Sequence, residues 1–226
     1  MEKLKILHMY PNMLDLYGDS GNVEVLSYRC KMRGIELEVS KHLIGDKETD
    51  FTQYDIIYLG GGADFEQQIL ADDLVSCKDS IMEAYKSGTF FLMICGGYQL
   101  MGHYYDTAAG VRCAGVDVLD LTTEGAEERM IGNFAFETEF GSVVGFENHS
   151  GRTYLGKGVE PLGKMIKGCG NNGEDGTEGV RYKNTFGTYS HGPVLPKNPQ
   201  LADLLISLAV KNKYGSCTLE PLNDDL

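Results

Sequence analysis

The run Phe90-Phe91-Leu92-Met93-Ile94-Cys95-Gly96-Gly97-Tyr98-Gln99-Leu100 constrains the fold more than any other stretch of this chain. Phe90 to Ile94 is apolar throughout, as expected of a strand covered on both faces of a sheet. A cysteine, two glycines and residues able to open a helix follow at once. That order is the layout of a nucleophile elbow, where a tight strand-to-helix turn lifts a reactive side chain above a parallel sheet. Glycines beside the nucleophile permit backbone angles that a Cβ would obstruct. The helix N-terminus offers free N–H groups and a positive dipole end, which favour a thiolate and a developing oxyanion. The same residues also suit a buried core cysteine beside a Gly-Gly turn.

The flanking sequence has the alternation that such an elbow needs. Lys5 to Tyr10 predicts a strand closed by Pro11-Asn12. Val23 to Arg33 predicts a helix capped by Gly34, Ile35 to Leu43 a second strand, and Tyr54 to Leu59 a third that ends in Gly60-Gly61-Gly62. Asp72 to Ser87 has helical spacing and stops at Gly88. Strands alternating with helices imply an α/β fold with a mainly parallel central sheet flanked by helices. Beyond about residue 115 the pattern changes to short strands at 117–121, 131–140, 142–147, 164–166 and 179–189, joined by glycine-rich turns. These predict extra mixed or antiparallel strands on the same core. Gly168 to Gly179 reads as a mobile acidic loop, Leu201 to Val210 as a last helix, and 220–226 as a fraying tail. With no repeat and no linker, residues 1–226 are expected to form one domain.

Charge and cysteine usage narrow the function classes. Net charge is −13, from 20 Lys+Arg against 33 Asp+Glu, which disfavours nucleic acid or an anionic membrane as a partner. No apolar stretch reaches membrane-spanning length, and the start lacks a secretory pattern. The six cysteines include no CxxC pair and no zinc-type Cys/His spacing, so reduced thiols in the cytoplasm and no metal are expected.

Two nucleotide motifs fail on inspection. Gly158-Val159-Glu160-Pro161-Leu162-Gly163-Lys164-Met165 approximates a P-loop, but Met165 stands where a Mg²⁺-ligating hydroxyl belongs and Pro161 removes an N–H. Gly168-Cys169-Gly170-Asn171-Asn172-Gly173 fits GxGxxG, yet acidic loop sequence follows it. No cofactor is expected in this chain.

A thiolate nucleophile needs a base. His8 and His42 lie in strands and read as structural, and His103 is too near Cys95 to fold back easily. His149 and His191 are the loop-borne candidates, and the residues alone do not choose between them. Gly60-Gly61-Gly62 offers backbone N–H groups to a reacting carbonyl, and Gly96 supplies another. Two such donors form an oxyanion hole, worth about 3–4 kcal/mol per donor.

Taken together, the chain resembles a class I glutamine amidotransferase of the CobB/CobQ type, and more narrowly the glutaminase subunits of lipid II isoglutaminyl synthases. The resemblance rests on Tyr10-Pro11-Asn12, Leu16-Tyr17-Gly18-Asp19-Ser20-Gly21-Asn22, Gly60-Gly61-Gly62-Ala63-Asp64, the Cys95 elbow, Phe146 to Thr153, and Tyr189 to Pro199. It implies a flavodoxin-like core. It implies that Cys95 attacks the side-chain amide of L-glutamine with His191 as base, and that Gly61 or Gly62, with Gly96, binds the oxyanion. Gln99 would hold the substrate, Arg129 its α-carboxylate, and Asn148 and His149 would contribute further contacts. The implied partner is a Mur-ligase-like subunit that carries ATP, Mg²⁺ and the lipid II acceptor at the inner face of the membrane. Amidation of a corrinoid acceptor, or a silent ligase-stabilising role, are the alternatives. Two positions depart from the general family pattern. Met93 replaces a glycine two residues before the nucleophile, and Pro193 replaces the glutamate that follows the histidine by two. The histidine is therefore expected to lack an orienting acid or to receive one from another chain.

Overall fold

The computed structural model describes residues 2–47 and 49–224. The N-terminal half alternates β1 (Lys3–Met9), α1 (Gly21–Met32), β2 (Glu36–His42), β3 (Ile56–Leu59), α2 (Asp64–Ser76), α3 (Lys78–Ser87), β4 (Phe90–Ile94) and the short α4 (Gly96–Gln99). Next come β5 (Tyr104–Asp106), β6 (Arg112–Ala114), β7 (Leu121–Thr138), β8 (Gly141–Leu155), β9 (Gly163–Lys167) and β10 (Thr177–Glu178). The chain then forms β11 (Val180–Tyr182), β12 (Thr185–Thr188), α5 (Val194–Lys197) and α6 (Pro199–Tyr214).

The first sheet has the order β11-β12-β4-β3-β1-β2. Every pairing from β12 to β2 is parallel, and β11 adds an antiparallel edge. β3 and β4 are buried at every residue, whereas edge strand β2 is largely open. An unbroken apolar run is therefore central and an alternating one lies at the edge. Gly88 (φ 96°) and Gly215 (φ 84°) end α3 and α6 in the left-handed region, and Pro199 opens α6.

Most later strands build a second sheet, β10-β9-β7-β5-β6 with β8 on β7, rather than widening the first. Only β11 and β12 join the parallel sheet. One apolar cluster nevertheless runs from Ile6 and Phe91 to Phe134, Phe136 and Val143. The long β7–β8 hairpin contains a register shift between Gly125 and Met130. That bulge re-aims the side chains next to it, Arg129 among them.

Several sequence expectations change at this level. The 72–87 helix is two helices, starting at Asp64 and broken at Cys77. Residues 117–120 are not strand, and Asp117 has φ 63°. The 168–179 segment is pinned rather than mobile. Cys169 and Gly170 donate their N–H groups to Glu147, and the buried Asn171 amide donates to the Gly179 carbonyl at 2.9 Å. Glu178, at its end, accepts from the Thr188 hydroxyl (2.6 Å) and Tyr189 N–H (2.8 Å), bracing the strand that leads to His191. Burial pushes its carboxyl up to about 7. The tail is tied as far as Asp224, which pairs with the buried Arg29 at 2.6 Å; residues 225 and 226 lie outside the described residues. The near-P-loop runs into β9, so the helix that a phosphate loop requires does not follow it.

Candidate active site

Four chain segments converge at the carboxyl ends of the parallel strands, where open α/β sheets place their sites. Cys95 closes β4 with φ 46° and ψ −105°. A non-glycine residue held there stores strain of about 1–3 kcal/mol. Its backbone is fixed on both sides: its N–H donates to the Thr188 carbonyl, and its carbonyl accepts from Gln99 N–H, both at 2.9 Å. A Cβ on Gly97 would lie 2.7 Å from the Leu59 Cβ, so the elbow packs against β3 only because that position is glycine.

His191 follows β12 and is anchored by its N–H to the Phe146 carbonyl at 2.8 Å. Its ring is fully buried. Nδ1 stands 3.0 Å from Asp19 Oδ2, and that same oxygen accepts the Gly61 N–H at 3.0 Å. Asp19 is itself fully buried and lies just before α1. A carboxylate at Nδ1 fixes the tautomer in which Nε2 carries the lone pair, and Nε2 has no hydrogen-bond partner among the described residues. Burial acts most strongly on this imidazole and disfavours its charge. The Cys95 thiolate and then Asp19 outweigh burial, and the imidazole is raised above its ordinary range. The third member of the constellation therefore comes from this chain. The expectation of a missing or partner-supplied acid is corrected, and Pro193 serves packing: a Cβ on Gly21 would lie 2.7 Å from its Cγ.

The glycine triplet is explained residue by residue. A Cβ on Gly60 would strike the Leu14 carbonyl at 2.0 Å, and one on Gly61 the His191 Cε1 at 2.4 Å. Gly61 is not an oxyanion donor, because its N–H is spent on Asp19. The amides of Gly62 and Gly96 have no acceptor among the described residues, and a Cβ on Gly96 would lie 3.1 Å from Gly62 N. Those two N–H groups form the pair suited to an oxyanion.

A cleft of about 450 Å³ opens over Cys95, bordered by Gly62, Gln67, Gln99, Arg129 and Asn148. Arg129 donates from Nε to Asn148 Oδ1 (2.9 Å) and from Nη2 to the Asn148 carbonyl (3.0 Å). Asn148 in turn bonds the Tyr17 hydroxyl. Tyr17 sets its ring edge-on to His191, with centroids 5.1 Å apart. Gln99 donates to the Tyr189 hydroxyl at 3.2 Å, and its Oε1 is buried without a partner. His149 lines the cleft but stacks on Tyr189 at 3.6 Å and 7°, with Nδ1 2.8 Å from the Gly151 carbonyl. Burial, above all, lowers its imidazole against the opposing pull of Glu147, whose Oε2 stands 3.6 Å from Nε2. Of the two candidate bases, it is His191 whose imidazole is raised by the charge of Cys95.

Residues 5–199 match the CobB/CobQ-like glutamine amidotransferase domain. The chain belongs to this family. It is 42% identical over 227 residues to the lipid II isoglutaminyl synthase (glutamine-hydrolyzing) subunit GatD of Streptococcus pneumoniae, covering 99% of this chain and 87% of that protein. The Staphylococcus aureus subunit of the same name is also 42% identical, over 94% of this chain and 87% of its own length. A cobyric acid synthase of Clostridium kluyveri is 30% identical over 70% of this chain but only 34% of its own. Among solved structures, the glutaminase domain of Trypanosoma brucei CTPS with bound acivicin superposes with a TM-score of 0.60 at 10% identity, covering 95% of this chain and 98% of that one. That likeness shows the shared amidotransferase fold.

Within this amidotransferase fold, the sequence pointed to Cys95 and His191 but missed Asp19 and Gln67. Asp19 lies 172 positions from its imidazole partner, and no local pattern distinguishes it from the nearby Asp15. Gln67 is buried on α2, its amide donating to the Gly62 carbonyl at 3.1 Å. The carboxylate role proposed for Arg129 has a kinetic signature. Losing a charge-assisted contact of about 1.5–3 kcal/mol raises KM roughly 10–100-fold. Arg129→Ala is expected to do this for glutamine while kcat changes less, since anchoring is mostly uniform binding. An unchanged KM in steady-state glutaminase assays counts against that role.

Proposed function

We propose that this chain is the glutaminase subunit of a lipid II isoglutaminyl synthase. The observation that carries the reading is the Cys95–His191–Asp19 line, set beside two unpaired glycine amides in a cleft with one arginine. The 42% identity to two curated GatD subunits over almost the whole chain supports the assignment to lipid II rather than corrinoid amidation.

The chemistry follows from the geometry. Cys95 passes its thiol proton to Nε2 of His191, the resulting thiolate attacks the side-chain carbonyl carbon of glutamine, and the N–H groups of Gly62 and Gly96 receive the developing oxyanion. The C–N bond breaks as Nε2 of His191 gives its proton to the departing nitrogen, leaving ammonia and a Cys95 thioester. Water, deprotonated by the same Nε2, attacks the thioester; the C–S bond breaks and glutamate leaves. Asp19 holds the imidazole throughout without itself taking the proton. Arg129 anchors the α-carboxylate, with Gln99 and Asn148 bordering the substrate. His149, stacked on Tyr189, walls one side of the cleft.

Hydrolysis needs no nucleotide, but amidating a carboxylate needs activation. The acceptor is the D-glutamate α-carboxyl of the stem peptide. ATP and Mg²⁺ belong to a Mur-ligase-like partner that carries the lipid II acceptor at the inner membrane face and receives the ammonia. The test is reconstitution of this chain with such a ligase, lipid II, ATP and either glutamine or ammonium. Glutamine-driven formation of D-isoglutamine that requires this chain is the expected result. Amidation by the ligase at the same rate with glutamine whether or not this chain is added would overturn the assignment.

A further inference from the structure

At the open edge of the first sheet, a group of side chains takes no part in glutamine chemistry. His42 ends β2, Asp73 lies in the last turn of α2, and Cys77 occupies the break between α2 and α3. His42 Nε2 is 3.8 Å from Cys77 Sγ and 3.9 Å from Asp73 Oδ2. All three ligand atoms lie within 4.8 Å of one another. Around tetrahedral zinc, with bonds of about 2.0–2.3 Å, ligand atoms sit about 3.3–3.8 Å apart. The trio therefore has to close by at most about 1.3 Å, within the reach of side-chain rotation.

Each donor is already oriented from behind. Thr49 Oγ1 lies 2.8 Å from His42 Nδ1, so an N–H donated there leaves Nε2 with its lone pair. The ring is walled by Tyr10 and Phe51, with centroids 5.3 and 5.2 Å away. Asp73 accepts from the Tyr10 hydroxyl at 2.8 Å and from Gly45 N–H at 2.9 Å. These are the outer contacts that orient metal-bound imidazole and carboxylate groups. The helix break gives Cys77 its place: it caps α3 instead of continuing α2. His42 is fully buried, while Asp73 and Cys77 are half-buried, which leaves a route for an ion and a water.

We propose that His42, Asp73 and Cys77 bind one Zn²⁺, with water in the fourth position. Sulfur, imidazole nitrogen and a single carboxylate select zinc over Mg²⁺ or Ca²⁺, which demand oxygen shells. Thiolate and carboxylate together neutralise the ion, so a partly buried site carries no net charge. Zinc binds sulfur as thiolate, so Cys77 gives up its thiol proton when the Zn–S bond forms. The groups facing the site are Asp46, whose charge acts on His42, and the Tyr10 hydroxyl. The bound ion would tie the end of β2 to α2, the helix whose first turns carry Asp64 and Gln67 into the glutamine cleft.

The experiment is titration of the full chain with Zn²⁺ by calorimetry, and with Co²⁺ by absorbance, in wild type, Cys77→Ser, His42→Gln and Cys95→Ser. One zinc per chain is expected, with a buffer-dependent heat reporting one proton released. Co²⁺ should give a thiolate charge-transfer band and intense four-coordinate d–d bands. Cys95→Ser should keep both signals, whereas Cys77→Ser should lose the charge-transfer band and weaken zinc at least about 100-fold. Cys77→Ser is conservative at a half-buried position, so it keeps the test valid even where His42→Gln disturbs the core. Stoichiometric zinc unaffected by Cys77→Ser, loss of binding in Cys95→Ser instead, or no binding at micromolar zinc would each overturn the proposal.

Discussion

Cys95→Ala is expected to abolish glutamine hydrolysis, lowering turnover by at least about 10⁴-fold, while amidation driven by ammonium chloride in the reconstituted complex stays near wild type. Two features of the elbow give the size of the effect. Cys95 borders the cleft from the strained β4–α4 turn. No serine or threonine lies within the turn to substitute for it, since Gly96 and Gly97 follow directly. Ammonium bypasses the loss because the substitution removes the ammonia source and leaves the ligase untouched. The fold should survive, because the turn is held by backbone bonds to Thr188 and Gln99 rather than by the thiol. Far-UV circular dichroism and a melting curve check that. Ammonia release from glutamine by the variant complex at the wild-type rate would remove Cys95 from the mechanism. Loss of the ammonium-driven reaction as well would mean that the substitution had damaged the complex.

The elbow was legible because everything it needs is local: a strand buried on both faces, a nucleophile and two glycines in succession. The parallel half of the fold was legible for the same reason, since β3 and β4 are apolar runs, and β1 a mostly buried strand, that end in turn residues. The second sheet was not, because its register is set by long-range pairing. β7 pairs with β5, β8 and β9 at once, and strands of similar pattern could equally have extended the first sheet. The 168–179 segment misled for a related reason. Its glycines and acids suggest a mobile loop, yet Glu147 from outside the segment and the buried Asn171 within it fix it. Gly61 shows how a correct motif can conceal a wrong role. A glycine run does approach the reacting centre, but Gly61 is glycine to admit the His191 ring, and its amide serves Asp19.

Asp19→Asn is expected to lower kcat/KM for glutamine by up to about 10⁴-fold without unfolding the protein, the scale set by loss of the orienting carboxylate in comparable triads. Asparagine preserves the volume, but the one atom that meets both the Gly61 N–H and His191 Nδ1 becomes either an oxygen or an NH2 group. As oxygen it keeps the tautomer and loses the charge that favours the imidazolium; as NH2 it leaves the Gly61 N–H without an acceptor and forces the histidine proton onto Nε2, with no lone pair for the Cys95 proton. A pH profile separates this from a merely structural effect. In the wild type Asp19 and the Cys95 thiolate together hold the imidazole raised against burial, so the imidazolium that protonates leaving ammonia persists well above the ordinary histidine range. Its deprotonation sets the alkaline limb of kcat/KM. Removing the Asp19 charge lowers the imidazole, and the alkaline limb should move to lower pH. A packing defect would reduce the rate without moving the limb. Adding the ligase partner should not restore the rate, because the missing group belongs to this chain. If Asp19→Asn keeps turnover within about tenfold of wild type with an unmoved limb, or if the partner restores it fully, His191 draws its orientation from elsewhere and Asp19 only supports the Gly61 turn.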